Sequence, residues 1–94
     1  MTVAETIRTK IEAAFSPQRL DVRDDSEKHR GHAGHREGGE THFHVTIVSA
    51  NFDGLTRVER HRRVHDVLDQ ELKGMVHALA LTLLTPDEAS RRPG

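Results

Sequence analysis

The apolar residues of this 94-residue chain change their spacing several times, and the order of those changes limits the folds it can adopt. In residues 3–15 they recur every three or four positions, which places them on one helix face: Val3, Ile7, Ile11, Ala14 and Phe15. Thr2 and Glu5 precede this stripe with the spacing of a capping box, in which each side chain satisfies a backbone N–H of the first turn. The residue before Pro17 is disfavoured in helical backbone, so we expect the helix to end there.

Two short segments then alternate between apolar and polar residues, which is typical of strands with one buried face. The first spans residues 19–23 with Leu20 and Val22 turned inward, and the second spans residues 41–49 with an inward row of Phe43, Val45 and Ile47. Residues 24–40 between them are polar and hold four of the seven glycines. We predict a long loop there, and loops of more than about 12–15 residues in a compact domain are usually functional or mobile.

A second capping pair, Thr56 and Glu59, begins the longest helical pattern. This pattern runs to about residue 72 and carries an apolar stripe made of Val64, Val67, Leu68 and Leu72. Gly74 follows it and suits the position just past a helix end. We therefore predict one long helix in this part of the chain.

Residues 76–84 form a nearly continuous apolar run, which predicts a buried strand. Thr85 and Glu88 repeat the capping spacing and predict a short last helix before a polar tail at residues 89–94. The element order is α-β-β-α-β. We predict a single small α/β (α+β) domain with its core in residues 2–88, in which two helices cover one face of a three-stranded sheet.

Histidine and cysteine usage narrows the chemistry. The chain has eight histidines and no cysteine, which excludes disulfides, thiolate zinc sites and an iron–sulfur cluster held by this chain alone. His29, His32 and His35 recur every three residues in the predicted loop. A flexible loop can bring two imidazoles onto one metal ion, although a polar loop that is merely rich in histidine is the alternative.

His61 and His65 are four residues apart on the predicted long helix. The glutamate of an H-E-x-x-H motif is absent, which excludes a metalloprotease of that type. We expect one of these rings to pack against the sheet and the other to be exposed. His42 and His44 are expected to be structural or solvated.

His77 stands at the start of the last predicted strand, shortly after the helix end at Gly74. A histidine at such a boundary is commonly part of the hydrogen-bonded structure. Its backbone is nevertheless held by a rigid element, which favours a ligand position.

The catalytic and membrane classes receive little support from the sequence. The chain has no cysteine, and none of its serines lies in a nucleophile-elbow pattern, so we predict that it is not an enzyme. It has neither an apolar run of membrane length nor the apolar core of a signal peptide near its first residue. These features predict a cytoplasmic protein without a membrane partner.

Residues 57–65 are strongly basic, with four arginines against one glutamate. A basic helix face can bind phosphates and release counterions from nucleic acid. The candidate nucleic-acid-binding residues are Arg57, Arg60, Arg62 and Arg63. Because no aromatic residue is interleaved with them, an ordinary solvated helix face is the alternative.

Three stretches of the chain together resemble the BolA family. They read LDVRDDSEKHRGHAG, ETHFHVTIVSANFDGLTRVERHRRVHDVL and VHALALTLLTPDE, and they span about Phe15 to Glu88. The pattern THF-x-V-x-IVS, then F-x-G, then R-x-x-RHR, then VHALAL stands in the order and spacing of the family. The resemblance implies a fold like that of class II K-homology (KH) domains.

The resemblance also implies partnership with a monothiol glutaredoxin that carries a glutathione-bound [2Fe–2S] cluster. In such a complex His77, in the VHAL block, matches the imidazole ligand of one iron, and the loop supplies a second ligand. His29 suits that second role by its spacing from Ser26, with His32 and His35 as rivals. No cofactor is expected in the isolated protein. Because BolA-like bacterial proteins are also described as DNA-binding transcriptional regulators, DNA binding through the arginines above is the alternative function.

Overall fold

The computed structural model of the chain describes residues 2–25, 42–74 and 76–91. Its elements, in chain order, are helix α1 (Val3–Phe15), strands β1 (Arg19–Asp24) and β2 (His42–Val48), helices α2 (Arg57–Val67) and α3 (Asp69–Lys73), strand β3 (Ala78–Leu84) and helix α4 (Pro86–Ser90). A short 3₁₀ turn at Ala50–Phe52 lies between β2 and α2. The predicted α+β domain with one three-stranded sheet is confirmed.

The predicted loop histidines His29, His32 and His35 lie outside the described residues. At the start of that predicted loop, Asp24 belongs to β1. At the other end of the chain, α4 continues through Ser90 into the predicted polar tail.

All three capping boxes predicted from the sequence are formed. Thr2 caps α1, Thr56 caps α2 and Thr85 caps α4. In each box the threonine hydroxyl accepts a hydrogen bond from the backbone N–H of the glutamate three residues on, at 3.1 Å, and the glutamate side chain accepts one from the threonine N–H. Local sequence therefore sets where these three helices begin.

Strand β2 is the centre of the sheet. It pairs antiparallel with β1, with Arg19 opposite Val48, and parallel with β3, with His42 opposite Ala78. The helices pack against the sheet face that carries Phe43, Val45 and Ile47, as predicted. Burying one such side chain stabilises the fold by roughly 1.5–3 kcal/mol. The core formed there also includes buried side chains from the helices and connections: Ile7, Ile11, Phe15, Phe52, Val64, Leu68, Val76 and Leu83.

The prediction of one long helix up to residue 72 is wrong. The backbone at Leu68 (φ −101°, ψ 19°) divides it into α2 and α3. Leu68 itself is buried, and α3 is tied to α1 by Lys10, whose Nζ lies 2.9 Å from Glu71 Oε2. Gly74 ends α3 as predicted, but its φ of −103° is not left-handed.

The prediction that residues 76–84 form a buried strand is also wrong in one respect. Strand β3 lies at an edge of the sheet, and its alternate residues Ala78 and Ala80 are exposed. The described helices cover one face of the sheet. The residues of β3 that point to the other face are therefore not buried by them, although the strand is apolar along nearly its whole length. Ala14, which was assigned to the apolar stripe of α1, is likewise exposed.

Candidate functional site

His77 lies at one end of the sheet, between two residues whose positions are fixed. On one side Val76 is buried, and its N–H donates to Glu71 O at 3.0 Å. On the other side Ala78 is paired with His42 in the sheet. The residue itself is exposed. His77 therefore has the property that its sequence position suggested, namely an accessible imidazole on a held backbone.

A second imidazole lies beside it. The rings of His42 and His77 have their centroids 6.3 Å apart and are inclined by 70°. His42 begins β2, and the parallel register of β2 and β3 brings the two residues to the same end of the sheet. Sequence reasoning set His42 aside because the signal that joins it to His77 is this register, which no local pattern contains.

Asp25 and His42, the described residues on either side of the connection between β1 and β2, lie next to each other. Asp25 N–H donates to His42 O at 2.7 Å, so the last described residue before the connection and the first described residue after it are hydrogen-bonded to each other. The assignment of a loop histidine as second ligand lies outside the described residues. Of the two described residues that flank this segment, His42 lies next to His77.

His44 is occupied by hydrogen bonds on both ring nitrogens. Arg23 Nη2 lies 3.1 Å from its Nδ1, and Thr82 Oγ1 lies 3.0 Å from its Nε2. Because a guanidinium can only donate, Nδ1 must accept, which leaves the proton on Nε2 to be donated to Thr82. This ring joins the three strands across the sheet face away from the helices and is structural, as expected.

Arg23 is itself held by Asp25. Its Nε lies 2.7 Å from Asp25 Oδ1, and this hydrogen bond, with the charge of Asp25, raises the pKa of Arg23 above its usual value. The pair fixes the end of β1 from which the connecting segment departs.

The donor set in the described part of the chain is incomplete for a metal centre. Within residues 2–25, 42–74 and 76–91 no group of three histidine, cysteine or carboxylate side chains could hold a metal ion. The His42–His77 pair offers at most two imidazoles, and the sequence contains no cysteine. Such a pair fits a site completed by other donors, because imidazole binds iron, zinc and copper but two rings fill only two of the roughly four or more positions around the metal.

The basic helix departs from its prediction at Arg60. Arg57, Arg62 and Arg63 are exposed on α2, but Arg60 is buried, so its assignment to the nucleic-acid-binding face is wrong. Its guanidinium forms a two-point ion pair with Glu88, with nitrogen–oxygen distances of 2.7 and 3.3 Å. An arginine engaged in this way is unavailable to a phosphate.

Arg60 also connects the backbone of two other parts of the fold. Its Nε donates to Leu55 O and its Nη1 to Leu83 O, each at 3.1 Å. The hydrogen bond from Arg60, followed by that from the Thr85 backbone, lowers the pKa of Glu88 to about 2. Nothing in the local sequence marks this arginine, because its partner Glu88 belongs to α4 and the two meet only in the fold.

The remaining histidines of α2 are both exposed. The prediction that one of them packs against the sheet is wrong. His61 Nδ1 lies 2.8 Å from Arg57 O. Since a carbonyl only accepts, Nδ1 carries a proton and donates it to Arg57 O.

Comparison with known proteins identifies the family to which this chain belongs. The family described as BolA-like protein matches residues 11–88, which includes His42, His77 and the basic helix. The chain belongs to the BolA family. The family resemblance inferred from the sequence motifs is therefore confirmed.

The relatives of this chain carry different names. Human "BolA-like protein 1" is 50% identical over 84 residues, which cover 89% of this chain and 58% of that protein. The "DNA-binding transcriptional regulator BolA" of Haemophilus influenzae is 39% identical over 88 residues, covering 94% of this chain and 82% of that protein. The solved BolA domain of SufE1 from Arabidopsis thaliana is 44% identical, with a TM-score of 0.80, and the match covers 90% of this chain and 93% of that one.

None of these three names describes a catalytic activity. Among the described residues, no helix is both long enough and apolar enough to cross a membrane.

Proposed function

We propose that this BolA-family protein binds a monothiol glutaredoxin and supplies His77 as a ligand to a shared, glutathione-bound [2Fe–2S] cluster, in iron–sulfur trafficking or iron and redox regulation. The observation that carries the proposal is the exposed imidazole of His77 on a held backbone, in a chain that has no cysteine. A protein with this donor set can lend nitrogen to a cluster, but the sulfur ligands must come from elsewhere.

The surroundings of His77 support this role. His42 lies next to it, and Asp25 and His42, the described residues that flank the connecting segment, are hydrogen-bonded to each other. A second ligand can therefore come from His42 or from the segment, where His29 is favoured over His32 and His35. When bound, the cluster supplies one-electron redox chemistry, and neutral imidazole in place of thiolate raises the reduction potential of such centres.

The proposal is tested by mixing the protein with cluster-loaded monothiol glutaredoxin and recording visible absorption and circular dichroism. We expect the wild-type protein to change both spectra, because one ligand of the cluster is exchanged. The His77→Ala variant should bind without producing the full change. His65→Ala is the matched control, since His65 is also an exposed histidine but lies on α2, and it should behave like wild type.

Two outcomes would contradict the ligand assignment. One is an unchanged cluster spectrum on addition of wild-type protein, and the other is a full spectral change with His77→Ala. Replacing His42 and His29 separately, with the same readout, then identifies the second ligand by the variant that alters the spectrum.

The second candidate function is DNA binding. It is favoured by the exposed side chains of Arg57, Arg62 and Arg63, and the Haemophilus relative is named a DNA-binding transcriptional regulator. Neutralised phosphates release counterions, so the affinity should fall with salt at a logarithmic slope of about −0.9 per contact. Arg62→Glu should weaken binding to a duplex and reduce this slope by about one contact. Lys73→Glu, an equal charge change on α3, is the control. Equal affinities for the Arg62→Glu variant and wild type would exclude this face.

A further inference from the structure

The outer edge of β3 borders a groove of about 530 Å³ between α2, β3 and α4. Four consecutive strand residues, Leu81 to Leu84, line it. Consecutive residues of a strand point to opposite faces, so all four can line one groove only where it runs along the edge of the strand. Since β3 is the last strand in the sheet order, no described strand lies on that side of it.

The backbone of β3 offers hydrogen-bonding groups to this groove. Leu84 O accepts from Ser49 N–H at 2.9 Å, which directs the Leu84 carbonyl toward the β2 side. In a parallel ladder alternate residues turn their N–H and C=O to opposite sides, so those of Leu81 and Leu83 face the groove. Arg60 Nη1 donates to Leu83 O, which agrees with this alternation, so the Leu83 carbonyl is already occupied. The backbone N–H and C=O of Leu81 remain directed outward.

The sequence of β3 itself carries none of the features that commonly protect an edge. Exposed edge strands are commonly protected by charged residues, prolines or bulges, because an uncovered edge pairs with other chains. Strand β3 reads ALALTLL and contains neither a charge nor a proline. An edge of this composition can pair with the backbone of another chain.

The groove has a positive charge. Arg57, in the first turn of α2, lines it and is exposed, and no described carboxylate pairs with its guanidinium. His61 lines it as well, with Nδ1 bound to Arg57 O and Nε2 left available. The one acidic residue of the lining, Glu88, is already paired with Arg60. These charges complement a carboxylate.

We propose that this β3 groove binds an extended, acidic segment of a partner protein, which pairs its backbone with β3 at Leu81 and places a carboxylate at Arg57. Strand addition of this kind draws affinity from main-chain hydrogen bonds and specificity from the pockets beside them. The groove lies along the second half of β3, whereas His77 precedes the first residue of that strand. The inference therefore stands independently of the cluster proposal.

The test is a titration of the ¹⁵N-labelled protein with the acetylated, amidated peptide Val-Glu-Val-Glu-Val, followed by NMR. We expect saturable shifts of the Leu81 and Leu83 amide signals. Arg57→Glu should weaken peptide binding at least tenfold. The variant should keep the fold, because a carboxylate in the first turn of a helix interacts favourably with the helix dipole. Lys73→Glu, the control with an equal charge change, should bind within about twofold of wild type.

A version of the peptide that is N-methylated at the amides facing β3 tests strand pairing without altering the protein. It should bind at least tenfold more weakly, since it can no longer donate to the edge. The lysine peptide Val-Lys-Val-Lys-Val should bind far less than the glutamate peptide. His77→Ala should bind the glutamate peptide like wild type, which separates this inference from the proposed function.

The inference is overturned if the lysine and glutamate peptides bind equally, or if N-methylation has no effect. It is also overturned if a DNA duplex shifts the Leu81 and Leu83 amides while the peptide does not, because the occupant would then be nucleic acid.

Discussion

Arg60 joins three parts of the fold through one side chain. Its guanidinium contacts Leu55 O, Leu83 O and the carboxylate of Glu88, and it lies 6.0 Å from the centre of the Phe52 ring. A buried arginine must be paired and hydrogen-bonded, because an isolated buried charge is strongly unfavourable. At the residue scale, the ion pair with Glu88 is therefore a device that attaches α4 to the rest of the molecule.

Replacing Glu88 by glutamine should destabilise the protein at neutral pH. The pair is partly exposed, with 38% of the Glu88 side chain accessible, so solvent screening limits its contribution. We expect a loss of about 1 kcal/mol in the free energy of unfolding, or about 4–8 °C in Tm for a domain of this size. Thermal unfolding followed by circular dichroism measures the difference, with Glu12→Gln, a change at an exposed carboxylate of α1, as control.

The same variant has a predicted pH dependence. The pKa of Glu88 is lowered from 4.5 to about 2 in the folded protein. A carboxylate with a lowered folded-state pKa stabilises the fold above its unfolded value and loses that contribution as the pH falls through the folded value. The Tm difference between wild type and Glu88→Gln should be full at pH 7, decline below pH 4.5 and vanish near pH 2. A difference that persists unchanged at pH 2 would refute this role.

At the scale of elements, each of the three capped helices begins where two residues three apart dictate. Thr56 illustrates the effect, because its hydroxyl accepts from the N–H of Glu59 while the Glu59 carboxylate accepts from the N–H of Thr56, both at 3.1 Å. These hydrogen bonds also lower the pKa of Glu59. The same helix presents Arg57 in its first turn, so the cap sets the position of the charge that faces the β3 groove.

Removing this cap should have a measurable cost. Thr56→Ala leaves an N–H of the first turn without its side-chain partner, and we expect a loss of about 1 kcal/mol in the free energy of unfolding. Chemical denaturation gives this value from the midpoint and the slope. Thr9→Ala is the control, since Thr9 is exposed within α1 and alanine is the better helix former, so it should not destabilise the protein. A Thr56→Ala variant as stable as wild type would contradict the capping role.

The elements also show where sequence reasoning succeeds. Capping boxes and alternating strands depend on residues within one turn or one strand, and for this reason the starts of α1, α2 and α4 were predictable. The division at Leu68 was not, because the backbone leaves the helical range at a buried leucine within an apolar stripe that continues to Leu72 in the sequence. The exposure of Ala78 and Ala80 could not be predicted from the sequence either, because it follows from the edge position of β3 in the sheet.

At the scale of the whole molecule, the sheet gathers imidazoles at one end. His77 was identified from its place in the chain, but its neighbour His42 emerges only from the parallel register of β2 and β3. Arg60 shows the converse, since the sequence grouped it with Arg57, Arg62 and Arg63 while the fold buries it against Glu88. Candidate sites that join distant segments cannot be completed from periodicity alone.

The proposed function requires that an imidazole of this protein binds an iron of a cluster shared with a glutaredoxin. Its most direct test is pulsed electron paramagnetic resonance on the reduced complex, prepared with ¹⁵N-histidine in this protein only. We predict a strongly coupled ¹⁵N signal with wild type and with His65→Ala, and loss of the His77 contribution in His77→Ala. Absence of coupled ¹⁵N in the wild-type complex, or an unchanged signal in His77→Ala, would contradict the account.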